Sequence, residues 1–233
     1  MNDVVKVMRP DQQLPVQRWL PASGRGPGLL VIQEIFGVSD YIQQRCAGFA
    51  EAGYVVYAPE LYFRQGTPSF DQAAADYVQQ GIAAAQKLDW QQTVADTSAA
   101  LDALRAAPEV VGGVGIVGYC FGGGMGFAVA AVNAPEALVS YYGSAIPGLL
   151  DLAAQVTCPS QHHWGLSDSF FTPDVVERVE RAISETNPTA EFHTYAGAGH
   201  AFDNPNPMFH HQAAADLARL RTLDFLGTHL GVS

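Results

Sequence analysis

The sequence has few cysteines and no long apolar run. Its three cysteines, Cys46, Cys120 and Cys158, are an odd number without regular spacing, so they do not predict a disulfide framework. No apolar run approaches the ~20 residues that span a bilayer, and the first residues lack the apolar segment of a secretory signal. We therefore expect no membrane association and a reducing, cytoplasmic setting in which a reactive thiol survives.

Basic residues are also scarce. Twelve Lys and Arg stand against 23 Asp and Glu, which gives a net charge of −11. Nucleic acids are bound by clustered Lys and Arg, and here these residues are scattered, so a nucleic-acid partner is not expected. Nothing in the apolar pattern predicts a particular oligomeric state. A composition of 48% hydrophobic and 15% charged residues is typical of a compact folded domain.

Short apolar runs alternate with longer amphipathic stretches along the chain. The pattern predicts strands at residues 28–32, 54–58, 115–117, 137–142, 160–164 and 191–195, and helices at residues 40–52, 70–87, 90–106, 121–133, 173–186 and 210–229. Such alternation predicts an α/β fold with a mainly parallel central sheet and helices on both faces. Without internal repeats or a linker, we expect a single domain over residues 1–233.

A G-x-C-x-G motif, Gly118 to Gly122, stands where a predicted strand ends and a helix begins. In a nucleophile elbow the central residue, here Cys120, occupies a strained turn that presents its side chain above the sheet. The two glycines are needed where the backbone comes too close for a Cβ atom. The helix N-terminus favours a thiolate. The alternative is an ordinary glycine-rich turn in which Cys120 is a small buried apolar residue.

An acid and a histidine follow in the order that a nucleophile elbow requires. Asp168 comes just after predicted strand 160–164, and His200 just after predicted strand 191–195. The carboxyl ends of parallel strands meet at one edge of a sheet, which would bring both side chains to Cys120. His200 is expected to accept the thiol proton and return it to the leaving group, and Asp168 to orient the imidazole.

Other polar residues compete for a role. Asp203 is close to His200 in sequence and is predicted to cap a turn. His162 and His163 are adjacent in a strand, so one is expected in the core and the other at the surface. His210 and His211 have no Cys, Asp or Glu at ligand spacing, so we predict neither a metal site nor a cofactor.

Several segments together resemble the dienelactone hydrolase family. They are VIQEIFG at 31–37, APELY at 58–62, VGYCFGG at 117–123, YYG at 141–143, Asp168, GHAF at 199–202 and RTLDF at 221–225. The resemblance covers most of the chain and implies an α/β-hydrolase fold with a sheet of about eight strands. It also implies a Cys-His-Asp triad made of Cys120, His200 and Asp168.

The resemblance implies further site residues. Glu34 would lie near the resting thiol and help to activate it when substrate binds. A carboxylate in an apolar segment is costly to bury without a partner, and the alternative role for Glu34 is a salt bridge to Arg45 or Arg64. The backbone N–H groups of Phe121 and Ile35 would form the oxyanion hole.

The substrate-binding positions depart from the family. Tyr141 matches a family position at the edge of the site. Family members bind the substrate carboxylate with two arginines, one early in the helix after the Leu-Tyr segment and one four residues after the catalytic histidine. Residues 70–87 contain no arginine, and the second position is Asn204. A neutral ester, lactone or thioester therefore fits at least as well as the family's anionic substrate.

Three functions remain in competition. The first is hydrolysis of a small carboxylic ester or lactone through an acyl-cysteine intermediate. The second is a thiol redox sensor on a hydrolase scaffold, for which Cys46 or Cys158 would have to resolve an oxidised Cys120. The third is a binding module without catalysis, which a complete set of Cys120, Asp168 and His200 disfavours.

Overall fold

The computed structural model describes residues 2–231, whose eight strands form one sheet. The strands are β1 (Asn2–Met8), β2 (Gln13–Trp19), β3 (Gly26–Ile32), β4 (Val55–Pro59), β5 (Val110–Tyr119), β6 (Ala137–Tyr141), β7 (Ser160–Gly165) and β8 (Ala190–Tyr195). The α-helices are α1 (Asp40–Glu51), α2 (Tyr77–Ala85), α3 (Trp90–Arg105), α4 (Phe121–Asn133), α5 (Pro173–Ser184) and α6 (Gln212–Leu230).

The sheet is mainly parallel, as the alternation of strands and helices predicts. Its order is β1-β2-β4-β3-β5-β6-β7-β8, with β1 and β2 antiparallel to their neighbours and the other strands parallel. Ile32 of β3 pairs with Gly118 of β5, and Tyr119 of β5 pairs with Tyr141 of β6. The carboxyl ends of the central strands are therefore level with one another, and the segments that follow them share one edge of the sheet.

Helices cover both faces of the sheet, which confirms the predicted layers. On one face α3, α4 and α5 enclose a core that includes Leu30, Ile116 and Phe127. On the other face α1 and α6 enclose a second core that includes Val31 and Phe225. Every residue of β3 is buried, because its side chains face helices on both sides. Each large apolar side chain buried in this way contributes about 1.5–3 kcal/mol.

Two strands and one helix boundary differ from the pattern in the sequence. The hairpin of β1 and β2 was not predicted, because β1 lies at the sheet edge and most of its side chains are exposed. The helix predicted at 70–87 is shorter and spans Tyr77–Ala85. Before it, the side chain of Asp71 accepts a hydrogen bond from the N–H of Ala73, and such local turns compete with a helix.

The prediction that one of the adjacent histidines in β7 reaches the surface is wrong. His162 and His163 are both fully buried, because this strand also has layers on both faces. His162 Nε2 lies 3.1 Å from Ser160 Oγ, and His163 Nδ1 lies 2.8 Å from the hydroxyl of Tyr195. Burial lowers the pKa of both imidazoles, so both are neutral members of the core.

Within residues 2–231, none of the helices combines the length and the apolar character that crossing a bilayer requires.

Candidate active site

Cys120 occupies a strained turn between β5 and α4. Its backbone has φ +52° and ψ −112°, a conformation that is rare for residues with a side chain. A Cβ atom added to Gly118 would lie 2.0 Å from the carbonyl oxygen of Gly122, and one added to Gly122 would lie 2.3 Å from that of Ile32. Both positions therefore require glycine, and the turn has the geometry that the G-x-C-x-G motif predicts.

Three predicted residues from separate loops form one hydrogen-bonded chain. Cys120 Sγ lies 3.1 Å from His200 Nε2. The other ring nitrogen of His200, Nδ1, lies 2.7 Å from Oδ2 of Asp168, whose Oδ1 accepts the N–H of Phe170 at 2.8 Å. A carboxylate held in this way fixes the tautomer of the imidazole, so that Nε2 faces the sulfur.

The surroundings of His200 favour the protonated, imidazolium form of its ring. Burial lowers the pKa of this imidazole, but the adjacent Cys120 sulfur and the Asp168 carboxylate outweigh burial and raise the pKa to about 10. An imidazolium next to a thiol stabilises the thiolate, which is the nucleophilic form of cysteine. The arrangement can therefore support nucleophilic and acid–base chemistry.

Glu34 is buried in the loop after β3. Its Oε2 accepts a hydrogen bond from Asn204 Nδ2 at 2.8 Å, and within residues 2–231 its Oε1 has no partner. Burial raises the pKa of this carboxyl to about 7, against the opposing effect of Asn204. The alternative of a salt bridge to arginine is wrong, because Arg45 pairs with Asp203 and Arg64 with Asp11 and Asp96.

A small cavity of about 160 Å³ opens at Cys120. We call it the acyl pocket; it is lined by Glu34, Ile35, Phe36, Val78, Ile82, Cys120, Ser144, Phe170, His200, Ala201 and Phe209. Most of these side chains are apolar. In the part of the chain that the structure describes, no lysine or arginine lines this cavity, and no group of three or more His, Cys, Asp or Glu could hold a metal ion.

The chain is similar to known proteins along most of its length. The model of the dienelactone hydrolase family matches residues 16–230. The chain belongs to the dienelactone hydrolase family. The carboxymethylenebutenolidase of Pseudomonas sp. (strain P51) is 36% identical over 209 residues, which cover 89% of this chain and 87% of the relative. That of Pseudomonas putida is 33% identical over 208 residues, covering 88% and 87% of the two chains.

Solved structures agree as well. A candidate dienelactone hydrolase from Klebsiella pneumoniae subsp. pneumoniae MGH 78578 is 27% identical and superposes with a TM-score of 0.84, covering 97% of this chain and 98% of that one. The comparisons identify a hydrolase of the dienelactone hydrolase type with the α/β-hydrolase fold that the sequence motifs imply.

The family resemblance implies an oxyanion hole made by Ile35, which lines the acyl pocket, and by Phe121, which follows Cys120 in the chain. Phe121 is the first residue of α4, where backbone N–H groups have no partner within the helix. Ile35 lines the pocket, and the hydroxyl of Tyr62 donates to its carbonyl oxygen at 2.8 Å. Tyr62 thereby anchors the loop that carries Glu34 and Ile35, a role that the APELY segment did not reveal.

The two residues predicted to bind substrate do not line the pocket, which corrects that expectation. Tyr141 is buried under α6, where its hydroxyl lies 2.7 Å from Thr222 Oγ1. Its neighbour Tyr142 faces the site instead, with its ring 5.2 Å from the ring of His200. Asn204 contacts Glu34 rather than the cavity.

Asp203 is likewise not the turn cap that its sequence neighbours suggest. It is buried, its carboxylate pairs with Arg45 at 2.7 Å, and it accepts the hydroxyl of Tyr41 at 2.5 Å. Its partners belong to α1, more than 150 residues earlier in the chain, which explains why local sequence did not reveal them.

The sequence also left most of the pocket wall unidentified. Val78 and Ile82 come from adjacent turns of α2, and Phe170 follows Asp168 by two residues. Phe170 is 61% exposed, and its ring lies edge-on to His200 at 4.8 Å between centroids. A large aromatic residue two positions after the predicted catalytic acid was the one available signal.

Proposed function

We propose that this protein hydrolyses small, neutral carboxylic esters or lactones through an acyl-cysteine intermediate, with Cys120, His200 and Asp168 as its catalytic triad. The observation that carries the proposal is the 3.1 Å contact between Cys120 Sγ and His200 Nε2 at a strained turn. The pocket beside this contact is small and mainly apolar, which suits the acyl part of a small ester.

In the proposed reaction the Cys120 thiolate attacks the carbonyl carbon of the substrate. The N–H groups of Phe121 and Ile35 stabilise the oxyanion. As the bond between the carbonyl carbon and the ester oxygen breaks, His200 gives its proton to that oxygen, and the alcohol leaves. Water then attacks the thioester and gives a proton to His200, and the acid leaves as Cys120 is regenerated.

Glu34 is assigned the activating role that the family resemblance implies. It lines the pocket with Cys120, and burial raises its pKa to about 7. A carboxyl with such a pKa can take up or release a proton at neutral pH, as a group that exchanges a proton with the thiol must do.

The lining of the pocket favours a neutral substrate. A substrate carboxylate would meet apolar side chains and the buried Glu34, without the two arginines of the family. A charge-assisted hydrogen bond is worth about 1.5–3 kcal/mol, and a buried charge without one is strongly disfavoured. Substrates with a carboxylate next to the reacting carbonyl are therefore expected to be poor.

The test is turnover of p-nitrophenyl acetate by the wild type, by Cys120→Ala and by Cys46→Ala. Cys46→Ala removes a buried thiol from α1 and serves as the matched control. We expect Cys120→Ala to lose roughly 10³-fold or more in kcat, as nucleophile removal does in other triads, and Cys46→Ala to keep its activity. Equal rates for wild type and Cys120→Ala would refute the proposal.

A panel of substrates tests the assignment of a neutral rather than an anionic substrate. It compares a carboxylate-bearing dienelactone with neutral lactones, esters and thioesters of similar size. A higher kcat/KM for the anionic dienelactone would contradict the neutral-substrate assignment but not the assignment of Cys120.

The geometry does not support the redox alternative. Burial raises the pKa of Cys46 well above the ordinary value and that of Cys158 to about 11, which makes both thiols unreactive. Neither lines the pocket at Cys120. A resolving thiol within reach of an oxidised Cys120 is therefore lacking among the described residues.

A further inference from the structure

His200 separates two compartments of different character. One is the acyl pocket. The other is an open groove of about 470 Å³, also lined by His200, between the loop after β7 and the segment that leads into α6. Both compartments are bordered by Phe170, His200 and Phe209. We call the second compartment the polar groove.

The polar groove offers hydrogen-bonding groups where the acyl pocket offers apolar surface. Ser167 and Ser169, both exposed, line it on one side, and His210 and His211 line it on the other. Within residues 2–231 neither serine hydroxyl has a side-chain or backbone partner, so both can bond to a ligand.

The tautomer of His211 is fixed by its position at the start of α6. Its Nδ1 accepts the N–H of Ala214 as the N-cap of the helix, so the ring proton of the neutral imidazole is on Nε2. Gly197 lines the polar groove, and a Cβ atom added to it would lie 3.5 Å from His211 Nε2. This ring nitrogen is therefore next to the wall of the groove. His211 therefore presents an N–H donor there that has no acceptor within the described part of the chain.

The proposed reaction determines which part of an ester occupies which compartment. The carbonyl carbon must lie at Cys120 Sγ, and the ester oxygen must lie at His200 Nε2, which protonates it. The acyl chain and the alcohol extend in opposite directions from that bond. An apolar acyl chain matches the acyl pocket, and the alcohol then extends past His200 into the polar groove.

We infer that the preferred substrates within this proposed class are open-chain esters of a short apolar acid with a polyhydroxy alcohol, whose hydroxyl groups bind His211 and Ser169 in the polar groove. The inference rests on the proposed function, because it assigns the two sides of the same reaction. A lactone joins acyl group and alcohol in one ring, so it fills the acyl pocket and leaves the polar groove unused.

The test varies the two halves of the ester separately. Ethyl butyrate and glyceryl monobutyrate share the acyl group and differ in the alcohol, whereas glyceryl monobutyrate and glyceryl monooctanoate share the alcohol and differ in the acyl group. The double variant His211→Asn/Ser169→Ala removes two bonds of the groove, and asparagine keeps the helix cap. His229→Asn, at the other end of α6, is the matched control.

We expect the wild type to favour the glyceryl over the ethyl ester in kcat/KM. The double variant should lose roughly tenfold on glyceryl monobutyrate and little on ethyl butyrate, because it removes two neutral hydrogen bonds to the glyceryl hydroxyl groups. Ile82→Ala enlarges the acyl pocket and should improve only the octanoate relative to the butyrate. His229→Asn should resemble the wild type on all esters.

Two results would overturn the inference while leaving the proposed function intact. One is Cys120-dependent turnover without a preference for the glyceryl ester. The other is an equal loss on both butyrates in the double variant. Turnover that survives Cys120→Ala would instead overturn the proposed function, and the inference with it.

Discussion

Asn204 donates a hydrogen bond to Glu34 at 2.8 Å across 170 residues of sequence, and it does so at the position where the family resemblance places an arginine. A neutral amide cannot compensate the charge of the carboxylate. Burial therefore dominates and raises the pKa of Glu34 to about 7. The departure from the family thus changes two properties at once: the pocket has no arginine for a substrate carboxylate, and the raised pKa brings the titration of Glu34 near neutral pH.

The raised pKa makes stability depend on pH through Glu34. Between its ordinary pKa of 4.5 and about 7, the folded protein keeps this proton while the unfolded chain releases it. The folded state binds more protons there, so stability falls as pH rises through this window and levels off above it. A shift from 4.5 to about 7 corresponds to about 3 kcal/mol.

Glu34→Gln should remove this dependence. We expect the free energy of unfolding of the variant, relative to wild type, to increase by about 3 kcal/mol between pH 4 and pH 8, with most of the change between pH 4.5 and 7. Urea unfolding at several pH values measures it, and the comparison at pH 4, where both side chains are neutral, is the internal control. A difference that stays constant across the range would contradict the burial of an uncompensated carboxyl.

Asp168→Asn should abolish most of the activity while preserving the fold. Asparagine keeps an oxygen for the N–H of Phe170 but presents an amide N–H to Nδ1 of His200. Nδ1 must then accept, so the ring proton moves to Nε2, which can no longer accept a proton from Cys120.

The expected loss in kcat for Asp168→Asn is roughly 10³- to 10⁴-fold on p-nitrophenyl acetate. The thermal midpoint is the control and should change by only a few degrees. Activity within tenfold of the wild type would show that Asp168 does not set the tautomer of His200.

The meeting of Cys120, Asp168 and His200 could be predicted from sequence because each residue lies in the segment that follows a strand. Cys120 and Asp168 lie within three residues of the ends of β5 and β7, and His200 lies five residues after the end of β8. Parallel strands bring these segments together. The buried strands were recognisable from their continuous apolar runs. The edge hairpin was not, because β1 has little buried surface to leave a pattern.

Side-chain direction at the site could not be predicted in the same way. Tyr141 and Tyr142 are adjacent, and successive residues of an extended segment point to opposite sides, so an error of one position selects the wrong face. Only Tyr142, whose φ is +39°, approaches His200. The pairing of Asp203 with Arg45 depends on the docking of α1, which no local pattern encodes.

That pairing leads to a prediction about stability. Arg45→Met removes the cation from Asp203, whose buried carboxylate keeps the hydroxyl of Tyr41 as its hydrogen-bond partner among residues 2–231. Removal of one partner of a buried ion pair costs about 3–5 kcal/mol, because the remaining charge is left uncompensated.

The control for Arg45→Met is the double variant Arg45→Met/Asp203→Asn, which removes both charges. It should recover a large part of the lost stability in urea unfolding at pH 8. A double variant less stable than Arg45→Met would show that Asp203 is stabilised by groups other than Arg45.

The steric requirement of the elbow gives a prediction with a built-in contrast. A Cβ on Gly122 would lie 2.3 Å from the backbone oxygen of Ile32, and neither backbone can move without separating α4 from β3. On Gly48, in the interior of α1, the added atom would lie 3.5 Å from Nη2 of Arg219, an ordinary contact with a flexible side chain.

Gly122→Ala should therefore lose activity and several kcal/mol of stability, whereas Gly48→Ala should gain about 0.5–1 kcal/mol from the better helix propensity of alanine. Thermal unfolding and esterase activity of the two variants, measured side by side, decide this. A Gly122→Ala variant with wild-type activity would mean that the backbone at Cys120 is less tightly constrained than the contacts of Gly118 and Gly122 require.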